Sequence, residues 1–230
     1  MPNKPYKLLI RGELVQQTAF SNGGNDAQSS LDMPLARDGQ GRFTLRGSSL
    51  AGAFIATARE LFDDLPEEIS EGTPTEQLTK QAGKKVEELP RMKESVWIFH
   101  HAHPLETRNP EIRDQVAISQ KTGAARHTAK FDLEVLPAGT RWGFLLEVDR
   151  YRAASGRAAT IAWHVAQAWR QRCWLGREVA RGLGWMKLEN LRCIELDASQ
   201  VHLWPDAGLE PWEALGGLSV HEGKFWGHNT

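Results

Sequence analysis

Apolar and polar positions along the chain fall into a succession of short regular patterns. Residues 6–17 (YKLLIRGELVQQ) form an apolar run that predicts an opening strand. After a loop over 21–30 (SNGGNDAQSS) and turn signals at Pro34, Asp38-Gly39 and Gly41, the pattern changes to helical spacing. Leu50, Phe54, Leu61, Phe62 and Leu65 fall on one face of that helix, with Ser48 or Ser49 as its cap. Further on, KFDLEVL (130–136) and RWGFLLEVD (141–149) predict two strands joined as a hairpin through Pro137-Ala138-Gly139. A second helix follows over 157–172, with Ile161, Val165, Ala168 and Trp169 on one face, and WMKLENLRCIEL (185–196) predicts a last strand. The order strand, helix, strand, strand, helix, strand is the split βαβ unit, so the predicted fold class is α+β with a ferredoxin-like (RRM-like) βαββαβ core. Many unrelated functions share that topology, and it names no chemistry by itself.

The rest of the chain reads as additions to one domain spanning 1–230. The core is expected at about 6–65 and 128–195, an insertion at about 66–127, and a tail at 196–230. Residues 66–95 are acidic and polar, VWIFHHAHP (96–104) is a short apolar patch, and a polar stretch continues to about Thr128. With 40% apolar and 25% charged residues among 230, the composition excludes a wholly disordered or collagen-like chain. No apolar window is long enough for a spanning helix, and Arg11 and Glu13 interrupt the run a signal peptide would need. Two cysteines are too few for a disulfide scaffold. A cytoplasmic protein without membrane contact is expected.

The net charge of −1 argues against a nucleic-acid partner, but its distribution changes the picture. Between Arg150 and Lys187 there are eight basic residues against one acid, whereas from Glu60 to Glu94 ten acids face five bases. Such segregation gives either one positive surface suited to phosphate or an ordinary solvated helix face. Arg46-Gly47-Ser48-Ser49 places a cation and two hydroxyls at a helix start, where unpaired N–H groups can hold an anion, or where a plain cap is all that is needed. Residues 113–130 (RDQVAISQKTGAARHTAK) carry Arg113, Lys121, Arg126, His127 and Lys130 among small residues, with Ile118 as an apolar wedge; a basic excursion of this kind can track a backbone or merely be solvated. Gly176, Gly182 and Gly184 with Arg177 and Arg181 would let a phosphate come close to the backbone, or make a tight helix-to-strand turn. His100, His101 and His103 match no strong zinc spacing. The tryptophans, including Trp204, Trp212 and Trp226, suit core or subunit interface better than base stacking, and the tail is expected to pack on a neighbouring subunit.

Three segments together resemble the RAMP superfamily of CRISPR-associated proteins, most of all the repeated backbone subunit of type III effector complexes. They are SLDMPLARDGQGRFTLRGSSLAGAF (30–54), the stretch from Gln115 to Asp149, and LGREVARGLGW (175–185). The resemblance implies a single RAMP domain in which part of the insertion is a thumb that opens the duplex between guide RNA and target RNA. It implies several copies lining the guide beside other effector subunits. It also implies that Asp32, in the loop after the first strand, cuts the target RNA with Mg²⁺ or Mn²⁺ at the same residue. Hard carboxylate oxygens suit those ions, and a kinked backbone can align a 2′-hydroxyl for in-line attack. Otherwise Asp32 organises the turn before Pro34, with Asp26 and Asp38 as neighbouring alternatives. The implied RNA contacts are Arg46, Ser48, Ser49, Arg113, Lys121, Arg126, His127, Gly176, Arg177, Arg181 and Gly182. The chain departs from the family pattern at Ala51 and Ile55, where a lysine and an arginine are usual. Three rival readings stand beside this one: a backbone subunit that holds guide RNA without cutting, a guide-processing endoribonuclease using His127 or the histidine cluster, and a plain ferredoxin-like interaction module without RNA.

Overall fold

A computed structural model describes residues 5–24, 30–69, 95–106, 108–119, 121–153, 156–203 and 220–221. The long strand β1 (Pro5–Gln16) alternates, with Leu8, Ile10 and Leu14 all fully buried on one side. It lies at the centre of an antiparallel sheet. On one side it pairs with β5 (Arg141–Asp149), which pairs in turn with β2 (Trp97–Phe99). On the other side it pairs with β7 (Trp185–Asp197), whose outer edge takes β6 (Cys173–Trp174) and β8 (Val220–His221). The main path therefore runs β2-β5-β1-β7-β6. Gly12 lets β7 approach: a Cβ there would meet Glu189 O at 2.9 Å, beside a break in register and the left-handed Asn190 (φ 52°).

Both helices cover the same face of the sheet. Helix α1 (Gly47–Leu61) buries Gly47, Leu50, Phe54 and Ala58, a stripe at i, i+3, i+7 and i+11. Helix α2 (Arg157–Trp169) buries Ile161, Val165 and Trp169 with several alanines. The two are joined where Trp169 Nε1–H donates to Thr57 Oγ1 at 3.0 Å. Phe54 is the hub of the core, its ring meeting those of Trp97, Phe99, Phe144 and Trp169. The helix-free face carries charge instead, including Arg141 bridging Glu13 and Glu189 at 2.8 and 2.9 Å. Both cysteines are buried free thiols.

Four sequence expectations change here. Residues 130–136 do not pair with 141–149. They end β4 (Ala125–Val135), which pairs with β3 (Glu111–Ile118) in a separate two-stranded hairpin. The neighbour of β5 is Trp97–Phe99 from the supposed insertion, whose two large aromatics pack against Phe54. Helix α1 stops at Leu61, which is half exposed, while Phe62 and Leu65 pack on the core from beyond its end. Ser48 and Ser49 do not cap α1: the N-cap is Arg46 in extended conformation, and both serines are exposed within the first turn. The described part of the tail, Val220–His221, pairs with the chain's own β7; residues 204–219 and 222–230, with Trp204, Trp212 and Trp226, lie outside the described residues, as do 70–94 of the acidic insertion.

Candidate functional site

The C-terminal end of β1 is where the loops gather. Gln16 exchanges backbone hydrogen bonds with Thr140 and Gly139, and Gln17 N–H donates to Trp185 O at 2.8 Å, so β5 and β7 begin where β1 ends. The segment 17–46, the β3-β4 hairpin and the glycine loop 175–184 all meet there. A small apolar cluster of Ala19, Leu133, Val135 and Leu183, with Met33 against it, ties them together. Burying those side chains in one place fixes three loops that are far apart in sequence.

Asp32 sits in this cluster's rim. It is exposed, and its Oδ2 accepts the Asp132 N–H at 3.1 Å, while Met33 N–H donates to Asp132 O at 3.0 Å and Glu134 N–H to Met33 O at 3.1 Å. The loop carrying Asp32 thus lies along β4 at the base of the hairpin. Asp38 is a turn residue: its carboxylate accepts from Gln40 N–H, Arg42 N–H and Arg42 Nε, and the last of these contacts is 2.8 Å. Asp26 lies outside the described residues. Among the described residues no three histidines, cysteines or carboxylates come together to hold a metal, and one oxygen of Asp32 is already engaged. A single carboxylate oxygen is no cage for Mg²⁺ or Mn²⁺, whose shells want about six hard oxygens. Among the described residues the protein's donors alone do not fit a resident ion.

The glycine loop is shaped by three left-handed glycines, Gly176, Gly182 and Gly184, at φ 85°, 85° and 77°. A Cβ on Gly184 would fall 1.9 Å from Leu175 O, and one on Gly176 would fall 2.3 Å from Ser21 O. Gly184 N–H donates to Ala19 O at 2.8 Å and Arg177 N–H to Ser21 O at 2.7 Å, which docks this loop on the first one. The Arg177 guanidinium lies against Gly23, and Arg181 donates to Gln115 Oε1 of β3 at 2.9 Å and pairs with Glu178. Gly23 in turn bridges Leu35, three residues after Asp32.

Helix α1 also opens at this end. Its Gly47 N–H donates to His101 Nδ1 at 2.9 Å, and Ser49 N–H and Leu50 N–H to Arg46 O. His101 therefore takes part of the donor set that the sequence offered to an anion, and leaves Arg46, Ser48 and Ser49 exposed beside it. The other histidines go elsewhere: His100 bonds Glu147, and His103 Nδ1 bonds Phe43 O at 3.1 Å. With three different partners, the cluster is not one site. Ile55 is half-buried against the core, so that position offers no group to a phosphate.

The hairpin places Ile118 at the end of β3, 57% exposed, and Lys121 in the exposed turn. The side chains of Arg126 and His127 lie outside the described residues. Pairing divides the expected cations. Arg113 meets Glu111, Lys130 meets Asp114 and Arg181 meets Glu178. Among the described residues, Arg46, Lys121 and Arg177 have no carboxylate partner. Outside the expected set, the basic run 150–187 is neutralised at its start, with Arg150 on Glu195, Arg152 on Asp149 and Arg157 on Asp64. The sequence reading missed Glu134 and Arg37, and it named His101 only as one of a histidine cluster; Glu134, an acid flanked by Leu133 and Val135, could have been singled out.

Comparison with known proteins agrees with this arrangement. No curated protein matches the chain. A cryo-EM structure of the type III-B Cmr-beta bound to cognate target RNA is similar in fold, with a TM-score of 0.58 at 12% identity, covering 80% of this chain and 97% of that one. The family model of the RAMP superfamily matches residues 23–187, from the loop under Arg177 to the start of β7, and the chain belongs to the RAMP superfamily.

Proposed function

We propose that this protein is a guide-RNA-binding backbone subunit of a type III CRISPR ribonucleoprotein, and that Asp32 takes part in cutting complementary target RNA. The carrying observation is that Asp32, the β3-β4 hairpin and the glycine loop, remote in sequence, meet at one end of the sheet, and that Arg177 of the glycine loop, Lys121 of the hairpin turn and Arg46 at the start of α1 have no carboxylate partner among the described residues. Unpaired cations attract a phosphate backbone, whereas paired ones add little to the field. Two further points support it: the strand order β2-β5-β1-β7 with both helices on one face suits a ferredoxin-like core whose second strand is Trp97–Phe99, and the structure of similar fold is bound to target RNA.

The protruding hairpin is the thumb, and Ile118 near its tip is placed to wedge a base step. A nucleotide splayed at the thumb's base would bring its 2′-hydroxyl to the exposed Asp32 carboxylate, which can accept a hydrogen bond from it and orient it toward the adjoining phosphate. Arg177, whose guanidinium lies against Gly23, is the cation we assign to offset charge on the phosphate. A divalent ion here would draw its other ligands from RNA oxygens. Other effector subunits and further copies of this chain complete the assembly, in the cytoplasm.

Co-expression with its neighbouring genes and sequencing of co-purified nucleic acid is the first test. Short RNAs with one fixed end and variable middles are expected. In that complex Asp32→Ala should abolish target cutting while guide and target binding stay within about twofold. Unchanged cutting would leave a backbone subunit that only holds guide RNA, and the absence of RNA would sink the reading as a whole.

A further inference from the structure

We infer that Glu134 and Arg37 are positioning residues for Asp32, clipping its loop to the thumb strand so that the thumb's place sets the carboxylate's place. This rests on the cleavage reading of Asp32 proposed above. Glu134 is a carboxylate in the middle of β4, yet only 4% of it is exposed. The hairpin does not bury it: its register partner on β3, Ile112, is 59% exposed. The loop after Asp32 does. Glu134 Oε2 accepts the Leu35 N–H at 2.8 Å, and Oε1 accepts from Arg37 Nη2 at 2.7 Å. A buried carboxylate is tolerated only when its oxygens are satisfied in this way. Arg37 is itself held, its guanidinium lying 4.1 Å from the centre of the Phe43 ring.

With the backbone bridge Met33–Leu133 and the bond from Asp132 N–H to Asp32, these contacts form a continuous ladder from 32 to 37 along 132–134. Met33 is fastened by its backbone and by its place against the apolar cluster, whereas Leu35 and Arg37 reach the thumb strand through Glu134 and the rest of their own loop through the bridges Gly23–Leu35 and Arg37–Phe43. Removing the carboxylate uncouples residues 35 and 37 from the thumb strand and leaves Asp32 attached to it through Met33 and its own hydrogen bond. A displacement of the thumb by an RNA duplex is thereby carried to Asp32, because residues 32–37 contact the thumb strand directly.

The test uses the assembled RNA-bound complex with Glu134→Ala, Glu134→Gln and Arg37→Ala, and Asp32→Ala as reference. Glu134→Ala should slow cutting about 10–100-fold, the range that a misplacement of about 1 Å produces, with guide and target affinity within about twofold. Amide exchange at Leu35 should rise about tenfold or more, as expected for loss of a bond to a charged acceptor, while amides of β1 keep their protection. Glu134→Gln, which retains an acceptor for Leu35, should recover part of the rate. Arg37→Ala should slow cutting without freeing the Leu35 amide, and it reads the clip if Glu134→Ala fails to assemble. Cutting at the wild-type rate in Glu134→Ala or Arg37→Ala, or unchanged exchange at Leu35, overturns the inference. So does a parallel loss of RNA binding and cutting, which would make the pair merely structural. If Asp32→Ala still cuts, the cleavage reading has failed and this inference falls with it; if only the Glu134 and Arg37 variants cut normally, the cleavage reading stands alone.

Discussion

Substituting alanine at Gly184 and at Gly182 separates two costs that usually come together. Both residues are left-handed, at φ 77° and 85°, so each alanine carries the same backbone penalty of about 1–2 kcal/mol. They differ in space. A Cβ at Gly182 meets nothing within 4 Å, but at Gly184 it would lie 1.9 Å from Leu175 O. A carbonyl that close must move by more than 1 Å, roughly the shortfall from van der Waals contact. The movement breaks the bond from Leu175 N–H to Gly184 O at 2.9 Å and strains that from Gly184 N–H to Ala19 O at 2.8 Å. Losing one or two buried backbone bonds adds about 1–3 kcal/mol. Gly182→Ala should therefore cost about 1–2 kcal/mol and Gly184→Ala about 2–5 kcal/mol. Urea denaturation of the two variants against the parent reads the difference directly. Because the Ala19 contact docks the glycine loop, Gly184→Ala should also weaken RNA binding more than Gly182→Ala does. Equal destabilisation by the two alanines would refute the steric argument and with it the claim that this loop is held by close backbone packing.

Trp97→Ala should cost about 3–5 kcal/mol by urea denaturation, as for a buried tryptophan in the main core; a cost within about 0.5 kcal/mol, as at a surface site, would return residues 96–104 to a peripheral insertion. His101→Ala removes the acceptor for the Gly47 N–H and should destabilise by about 0.5–2 kcal/mol, as loss of a helix cap does, whereas Ser48→Ala should leave stability unchanged and lower RNA affinity, read by filter binding. For Glu147, burial pushes the carboxyl up, but the hydrogen bond and charge of His100 and the charge of Lys7 outweigh it and hold it below its ordinary 4.5. A depressed carboxyl stabilises the fold above its unfolded value and loses that contribution as pH falls through the folded one. The stability gap between the parent and Glu147→Gln should therefore narrow as pH falls below about 4.5, and a gap independent of pH between 5.5 and 3 would count against the coupling.

Local chemistry carried much of this protein. The helix stripe of Leu50 and Phe54, the faces of α2, the opening strand and the turn at Gly182 are each set by neighbours within a few positions, and the sequence alone was enough to read them. Which strands would pair was not legible. A run such as KFDLEVL has the same period whether its partner is β5 or β3, and its partner is settled only by contacts remote in sequence. The candidate site was half legible for the same reason. Asp32, Arg46, Lys121 and Arg177 could be named one by one, but only folding shows that the loop of Asp32, the hairpin and the glycine loop meet, and that Arg113, Lys130 and Arg181 are neutralised by nearby acids. Glu134 shows the limit plainly. Its charge is visible in the sequence, but its burial comes from a loop about one hundred residues earlier, and long-range contact of that kind is what tertiary structure alone supplies.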